Sequence, residues 1–439
     1  MKFLLSNFGQ KSVLPSPVNA MTSAFTHTFR EGIDINLGVG YVNNTTIPQD
    51  TLLACFEQVL QQPHIYRNPL NYGAAAGSPN LQEAIQQYYI ANNSLQTADF
   101  KNKSIIIGAN GATSILDAIA DVLQPGIVIT ADPMYYIYTE TLERKGFTIL
   151  AIPEDEHGIQ VDILREKLKG VSPQEISFFY IVTINNPSTT QTSNARKQEI
   201  VQLATELSAQ RGSNIPVVFD KAYEDLLYDT SLEIPQSPLL YDKVGLAIEV
   251  GTLSKIIAPA LRIGYAICKT SELSTVLIQR MSDIGFSAPL INQEIAACFL
   301  HNYIQEHRAR VLEVYRHKAQ CVRHAIETHL APYIERIDGG KASFYYYLTT
   351  KNTDTHTQSD FYKFLSRTTG IDEIDKNTEN NARLIYVPGE FCVHQQGFMV
   401  QQGQRQLRIS FGFEENETLE RAIILMREAF EYSTMKKRK

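Results

Sequence analysis

Short apolar runs recur through the middle of the chain, separated by stretches whose apolar positions fall three or four residues apart. The runs at 104–108, 127–130, 147–151, 176–182, 215–220, 246–250 and 263–268 read as strands, and the stretches between them as helices. Such alternation predicts an α/β fold, with a mostly parallel seven-stranded sheet covered by helices on both faces. From about Val311 the pattern changes. A long helical run, Gln305 to His329, leads into strand-like segments at Ala342 to Leu348, Arg383 to Val387 and Leu407 to Phe411. These predict a smaller α+β domain, completed by the amino-terminal segment. The expected division is 1–50 with the small domain, 51–310 as the large domain and 311–439 as the small one. Thr350 to Ser359 and Asp372 to Asn381 read as polar loops, and no tandem repeat is present.

Composition narrows the function classes. A chain of 439 residues with 44% hydrophobic content can hold two packed domains. A net charge of -7 is mild for this length and argues against a dedicated nucleic-acid binder. The closing Lys436-Lys437-Arg438-Lys439 reads as a solvated tail. No apolar run approaches the roughly 18 residues of a membrane span, and Met1 to Ser6 has too short an apolar core for a secretory signal. The five cysteines, 55, 268, 298, 321 and 392, are scattered and odd in number, which fits reduced thiols in a cytoplasm. Neither they nor the ten histidines show metal-ligand spacing, so no metal site is expected.

The candidate chemistry centres on Gly251-Thr252-Leu253-Ser254-Lys255, followed by Arg262-Ile263-Gly264. A loop lysine is usually a solvated surface group. This one lies between two buried strands, where scaffolded chemistry tends to sit. A partly desolvated lysine can be neutral and nucleophilic towards an aldehyde. The Thr252 hydroxyl and Arg262 guanidinium suit a phosphate. Aldehyde plus phosphate points to pyridoxal 5'-phosphate.

An ordered set of further motifs accompanies this run: Ile35-Asn36-Leu37-Gly38-Val39-Gly40, Tyr72-Gly73, Gly108-Ala109-Asn110-Gly111, Asp132-Pro133-Met134-Tyr135, Asn185-Asn186-Pro187-Ser188-Thr189, Asp220-Lys221-Ala222-Tyr223 and Arg405-Gln406-Leu407-Arg408. From about Ile35 to Phe411 the chain resembles the fold-type I, class I/II aminotransferases, which use pyridoxal 5'-phosphate and share an aspartate aminotransferase-like fold. The resemblance implies an amino-group transfer in amino-acid metabolism, between an α-amino acid and a 2-oxo acid, through an aldimine on Lys255. By match, the backbone of Ala109 and Asn110 holds the phosphate with Thr252 and Arg262, and Tyr135 stacks on the pyridine ring. Asn186 and Tyr223 bond the phenolic oxygen, and Asp220 pairs with the ring nitrogen. Gly40, Asn186 and Arg408 receive the substrate carboxylate. Tyr72 reaches the cofactor of a neighbouring subunit, which implies a homodimer.

Two departures carry consequences. Tyr41-Val42 stands where the family has a proline, and Thr189 replaces the glycine of the Asn-Pro-Thr-Gly motif, so a shifted loop is expected there. The strand, Gly-x-x-Gly turn and helix around Gly108 also resemble a nucleotide-binding unit, with Asp132 as the ribose acid, but the third glycine is absent. Rivals to aminotransfer are another enzyme of the same fold (an elimination lyase, a decarboxylase or a cyclising synthase), a nicotinamide-dependent oxidoreductase, and a non-catalytic regulator. The presumed side-chain pocket segment, Val18 to Phe25, carries no cation, and Arg30 lies farther along, which favours neutral substrates.

Overall fold

The computed structural model describes residues 3–92, 95–376 and 381–437. Residues 377–380 of the second polar loop, Met1 and Lys2, and Arg438 and Lys439 of the basic tail lie outside the described residues.

The large sheet is built from β1 (Lys103–Ile107), β2 (Ile127–Asp132), β3 (Thr148–Asp155), β4 (Gly158–Ile159), β5 (Ile176–Val182), β6 (Val217–Asp220), β7 (Ala247–Thr252) and β8 (Gly264–Lys269). Their spatial order is β1-β8-β7-β6-β5-β2-β3-β4. The inner pairs β7·β6, β6·β5, β5·β2 and β2·β3 are parallel, while β8 runs antiparallel to both neighbours. The seven expected strands are all present. The eighth, β4, has two residues, too few to carry a periodic signal. β5 is buried along its whole length, as its unbroken run of β-branched and aromatic residues requires between two helical layers.

A second, four-stranded antiparallel sheet contains β9 (Ile334–Gly339), β10 (Tyr345–Thr350), β11 (Val387–Pro388) and β12 (Gln406–Ser410), in the order β9-β10-β12-β11. One continuous helix, α1 (Ile304–His329), runs from the large sheet's helical layer towards this second sheet. Residues Ile35–Asn36 pair in parallel with Leu384–Ile385, so the early segment of the chain joins the late one.

Register places the chemistry. Asp220 ends β6 opposite Val182 and Val250, and Thr252 ends β7 opposite Gly264. The link from β7 to β8, residues 253–263, carries Lys255 and Arg262 across the carboxyl edge of the parallel strands, where open α/β sheets bind ligands. Helix α2 (Gly111–Val122) begins at the same edge. A side chain at Gly264 would overlap the Ala112 amide, so glycine there lets the helix start close on the strand.

Candidate active site

A cavity of about 450 Å³ opens at this edge, within the range of small-molecule sites. It is lined by Asn110, Tyr135, Asn186, Asp220, Tyr223, Thr252, Lys255 and Arg262, residues from six separate segments. Gly40 and Arg408 adjoin it through hydrogen bonds. The Lys255 Nζ donates to the Gly40 carbonyl at 2.9 Å, and Arg408 Nη1 donates to Asn186 Oδ1 at 2.8 Å.

Lys255 faces the rings of Phe344 and Tyr223, with Nζ 5.6 and 6.0 Å from their centroids. Burial, reinforced by the charges of Arg408 and Arg262, pulls its amine down to about 8. An amine titrating there has a far larger neutral fraction near physiological pH than an ordinary lysine, and it is the neutral form that acts as nucleophile or proton acceptor.

Asp220 lies beneath the cavity. It accepts a hydrogen bond from the Tyr180 hydroxyl at 2.8 Å and one from the Ala222 amide at 3.1 Å, and no cation pairs with it among the described residues. Desolvation pushes its carboxyl up to about 6 despite these donors. A buried carboxylate left this short of positive charge fits a protonated ring nitrogen.

Arg262 is held by Asn110, with its Nε 2.8 Å from Oδ1 and its Nη2 3.1 Å from the carbonyl, and its Nη1 donates to the Pro259 carbonyl at 3.2 Å. None of these partners is an anion. Thr252 donates to the Ile263 carbonyl and meets the Ser254 hydroxyl, each at 3.0 Å, beside the start of α2. Guanidinium, hydroxyls and a helix start converge on one corner, which suits a phosphate. Ala109 packs against the core behind α2, and Asn110 lines the cavity with its amide donating to Ser114 Oγ at 2.9 Å. Ala112 and Thr113, in the first turn of α2, line the cavity and present the amides that a helix leaves unpaired there.

Arg408 on β12 is fully buried. Its other bond goes to the Gly38 carbonyl, its Nε has no partner, and no carboxylate pairs with it among the described residues. Its guanidinium lies 4.4 Å over the Tyr345 ring. Gly40 contributes its carbonyl to Lys255 rather than simply leaving room for a substrate; a side chain there would overlap the Tyr345 hydroxyl. Tyr72 is outside the cavity, 87% exposed, with its ring 5.9 Å from that of Phe286.

The Asn186 loop is anchored from behind. Asn185 and Ser188 both donate to the buried Glu154 on β3, at 2.9 and 2.6 Å. Thr189 closes the turn by donating to the Asn185 carbonyl at 2.8 Å, and it adopts the left-handed conformation itself, with φ of 62°. The turn is thus made by a residue poorly suited to it. Tyr180, Ser254 and Tyr345 were not anticipated. Tyr180 had a readable signal: a hydroxyl inside an otherwise apolar strand needs a buried partner.

Comparison with known proteins adds four findings. A family model for aminotransferase class I and II matches residues 34–423. Aromatic-amino-acid aminotransferase 1 of Thermococcus litoralis is 25% identical over 300 residues, covering 67% of this chain and 68% of that protein. The uncharacterized HTH-type transcriptional regulator YisV of Bacillus subtilis is also 25% identical, over 80% of this chain and 69% of its own. The crystal structure of a multiple substrate aminotransferase from Thermococcus profundus superposes with a TM-score of 0.82 over 98% of both chains, at 21% identity.

Proposed function

The chain belongs to the aminotransferase class I and II family and is a pyridoxal 5'-phosphate-dependent aminotransferase; from this we propose that Lys255 carries the cofactor, Arg408 grips the substrate's α-carboxylate, and neutral amino acids are the preferred donors. The observation that carries the reading is Arg408: a buried guanidinium with an unused Nε and no acid beside it among the described residues, adjoining a lysine whose amine is pulled down to about 8. An isolated buried cation is costly unless a ligand supplies its counter-ion.

When bound, the cofactor supplies an aldehyde that condenses with amines and a ring that draws electrons from the substrate's α-carbon. Arg262, Thr252 and the first turn of α2 would hold its phosphate, Asp220 its ring nitrogen, Tyr135 its face, and Asn186 and Tyr223 its phenolic oxygen. Arg408 fixes the substrate carboxylate, which orients the α-carbon towards Lys255. The neutral Lys255 amine takes the proton from that carbon. Phe344, Tyr223 and Tyr345 wall this side of the pocket and limit access of water to the exchanging proton.

Support for neutral substrates comes from an apolar cluster of Val18, Tyr136, Val387 and Cys392, with Met21 and Phe391 against it. Arg30, the nearest cation in that segment, is engaged by Asp34. The Thermococcus litoralis relative is named for aromatic amino acids. Residues 1–50 and 311–439 would then form the unit that carries the carboxylate grip, and 51–310 the unit that carries the cofactor. A homodimer, with Tyr72 offered to the neighbouring site, completes the proposal.

The test is a spectral scan of the cofactor-loaded protein with single amino acids, alongside borohydride treatment and peptide mapping. Borohydride should leave the cofactor's mass on the Lys255 peptide. Phenylalanine, tyrosine or leucine should bleach the visible-edge band and yield the 2-oxo acid, and Arg408→Met should raise KM by roughly 10²-fold, as expected for loss of one buried charge-assisted pair. Mass on another lysine, or turnover confined to aspartate and glutamate, overturns the reading.

A further inference from the structure

Tyr345 touches three parts of the pocket at once. It lies on β10, two residues from Tyr347, which is opposite Arg408 in register, while Tyr345 itself is opposite Ser410. Side chains two apart share a face of the sheet, so Tyr345, Tyr347 and Arg408 lie on one face. Tyr346, on the other face, bonds the Ala319 carbonyl in the small-domain core. The Tyr345 ring supports the Arg408 guanidinium at 4.4 Å. Its hydroxyl is 2.8 Å from that of Tyr223, in full burial. The same hydroxyl fills the space left by the missing side chain of Gly40, whose carbonyl holds Lys255.

We propose that Tyr345 is a positioning residue that joins the substrate-carboxylate site to the lysine's side of the pocket, holding Arg408 with its ring and Tyr223 with its hydroxyl. This rests on the roles proposed above for Arg408 and Lys255. Two phenols sharing one hydrogen bond cannot both donate it. With Tyr345 as donor, the Tyr223 proton is left free for another acceptor, and with the cofactor bound Tyr223 would donate it to the phenolic oxygen. That donation would draw electron density from the oxygen and lower the basicity of the Lys255 nitrogen. The ring and the hydroxyl therefore do separable work, and substitutions can divide them.

The test compares Tyr345→Phe, Tyr345→Leu, Tyr223→Phe and the double variant Tyr223→Phe/Tyr345→Phe, each loaded with pyridoxal 5'-phosphate. Two quantities are read: the pH midpoint of the cofactor's absorbance change, and kcat and KM for a good amino-acid donor. Tyr345→Phe should move the midpoint up by about half to one pH unit, the equivalent of one lost hydrogen bond. Its KM should stay within about twofold, because the ring remains under Arg408, while kcat falls. Tyr345→Leu should change both the midpoint and KM. The double variant should move the midpoint no further than Tyr223→Phe alone, since the hydroxyl acts through Tyr223. An unmoved midpoint in Tyr345→Phe, or additive shifts in the double variant, overturns the proposal. Failure of the parent protein to show any cofactor band would instead overturn the functional reading beneath it.

Discussion

Asp220 shows how one side chain ties stability to ligand. In the cofactor-free fold its carboxyl titrates at about 6 rather than 3.8. Between those values the folded chain keeps a proton that the unfolded chain releases. Stability is therefore lost as pH rises through this window, and the cost persists above it. The gap corresponds to about 3 kcal/mol at neutral pH. Cofactor-free Asp220→Asn should match the parent in melting temperature at pH 4 and exceed it at pH 7. Adding pyridoxal 5'-phosphate at pH 7 should reverse the order, because only the carboxylate can pair with a protonated ring nitrogen. Thermal melts at the two pH values, with and without cofactor, check both signs. Asp220 was legible in the sequence because it ends an apolar strand, where a lone acid needs a reason. Tyr345 was not. It sits in the run Phe344-Tyr345-Tyr346-Tyr347, and nothing there distinguishes the pocket face from the core face until the pairing with β12 sets the register.

At the scale of elements, the strands of the large sheet fall within two or three residues of the apolar runs at their starts, because burial on both faces leaves a continuous hydrophobic signature. β9 was missed since Ile334–Gly339 is an edge strand, largely open to solvent and interrupted by charges. The loop after β5 could be located from the sequence, but its geometry could not be read there. Its register depends on Glu154, thirty-one residues away from Asn185 in sequence. Thr189 remains in the left-handed region, where a β-branched residue costs about 1–2 kcal/mol. Thr189→Gly relieves that strain and gives back part of it as unfolded-chain entropy. The expected net gain is about 0.5–1 kcal/mol, read as a higher denaturant midpoint, with kcat close to the parent value. A loss of stability would mean that contacts of the threonine outweigh its backbone strain.

At the scale of the molecule, exposed apolar residues recur along one stretch of the chain, from residue 53 to residue 72. Leu53, Phe56 and Leu60 recur on the outward side of the helix Gln49–Gln61, opposite buried Cys55 and Val59, and Ile65, Leu70 and Tyr72 follow. A patch of this kind is a candidate subunit interface. If Tyr72 serves the neighbouring site as proposed, Lys255→Ala and Tyr72→Ala homodimers should both be impaired, while mixing them should restore activity in the heterodimer that keeps one intact site. No recovery after subunit exchange, verified by mass, would show that each chain works alone. The site also draws on distant parts of one chain: Arg408 bonds the Gly38 carbonyl 370 residues away, and Arg383 bonds Asp34. Those early residues leave the ribosome long before their partners exist. On the roles proposed for Lys255 and Arg408, the lysine and the phosphate corner are made while the carboxylate grip is still untranslated, so a chain stopped short of β12 that folds its large sheet is expected to take up vitamin B6 without turnover.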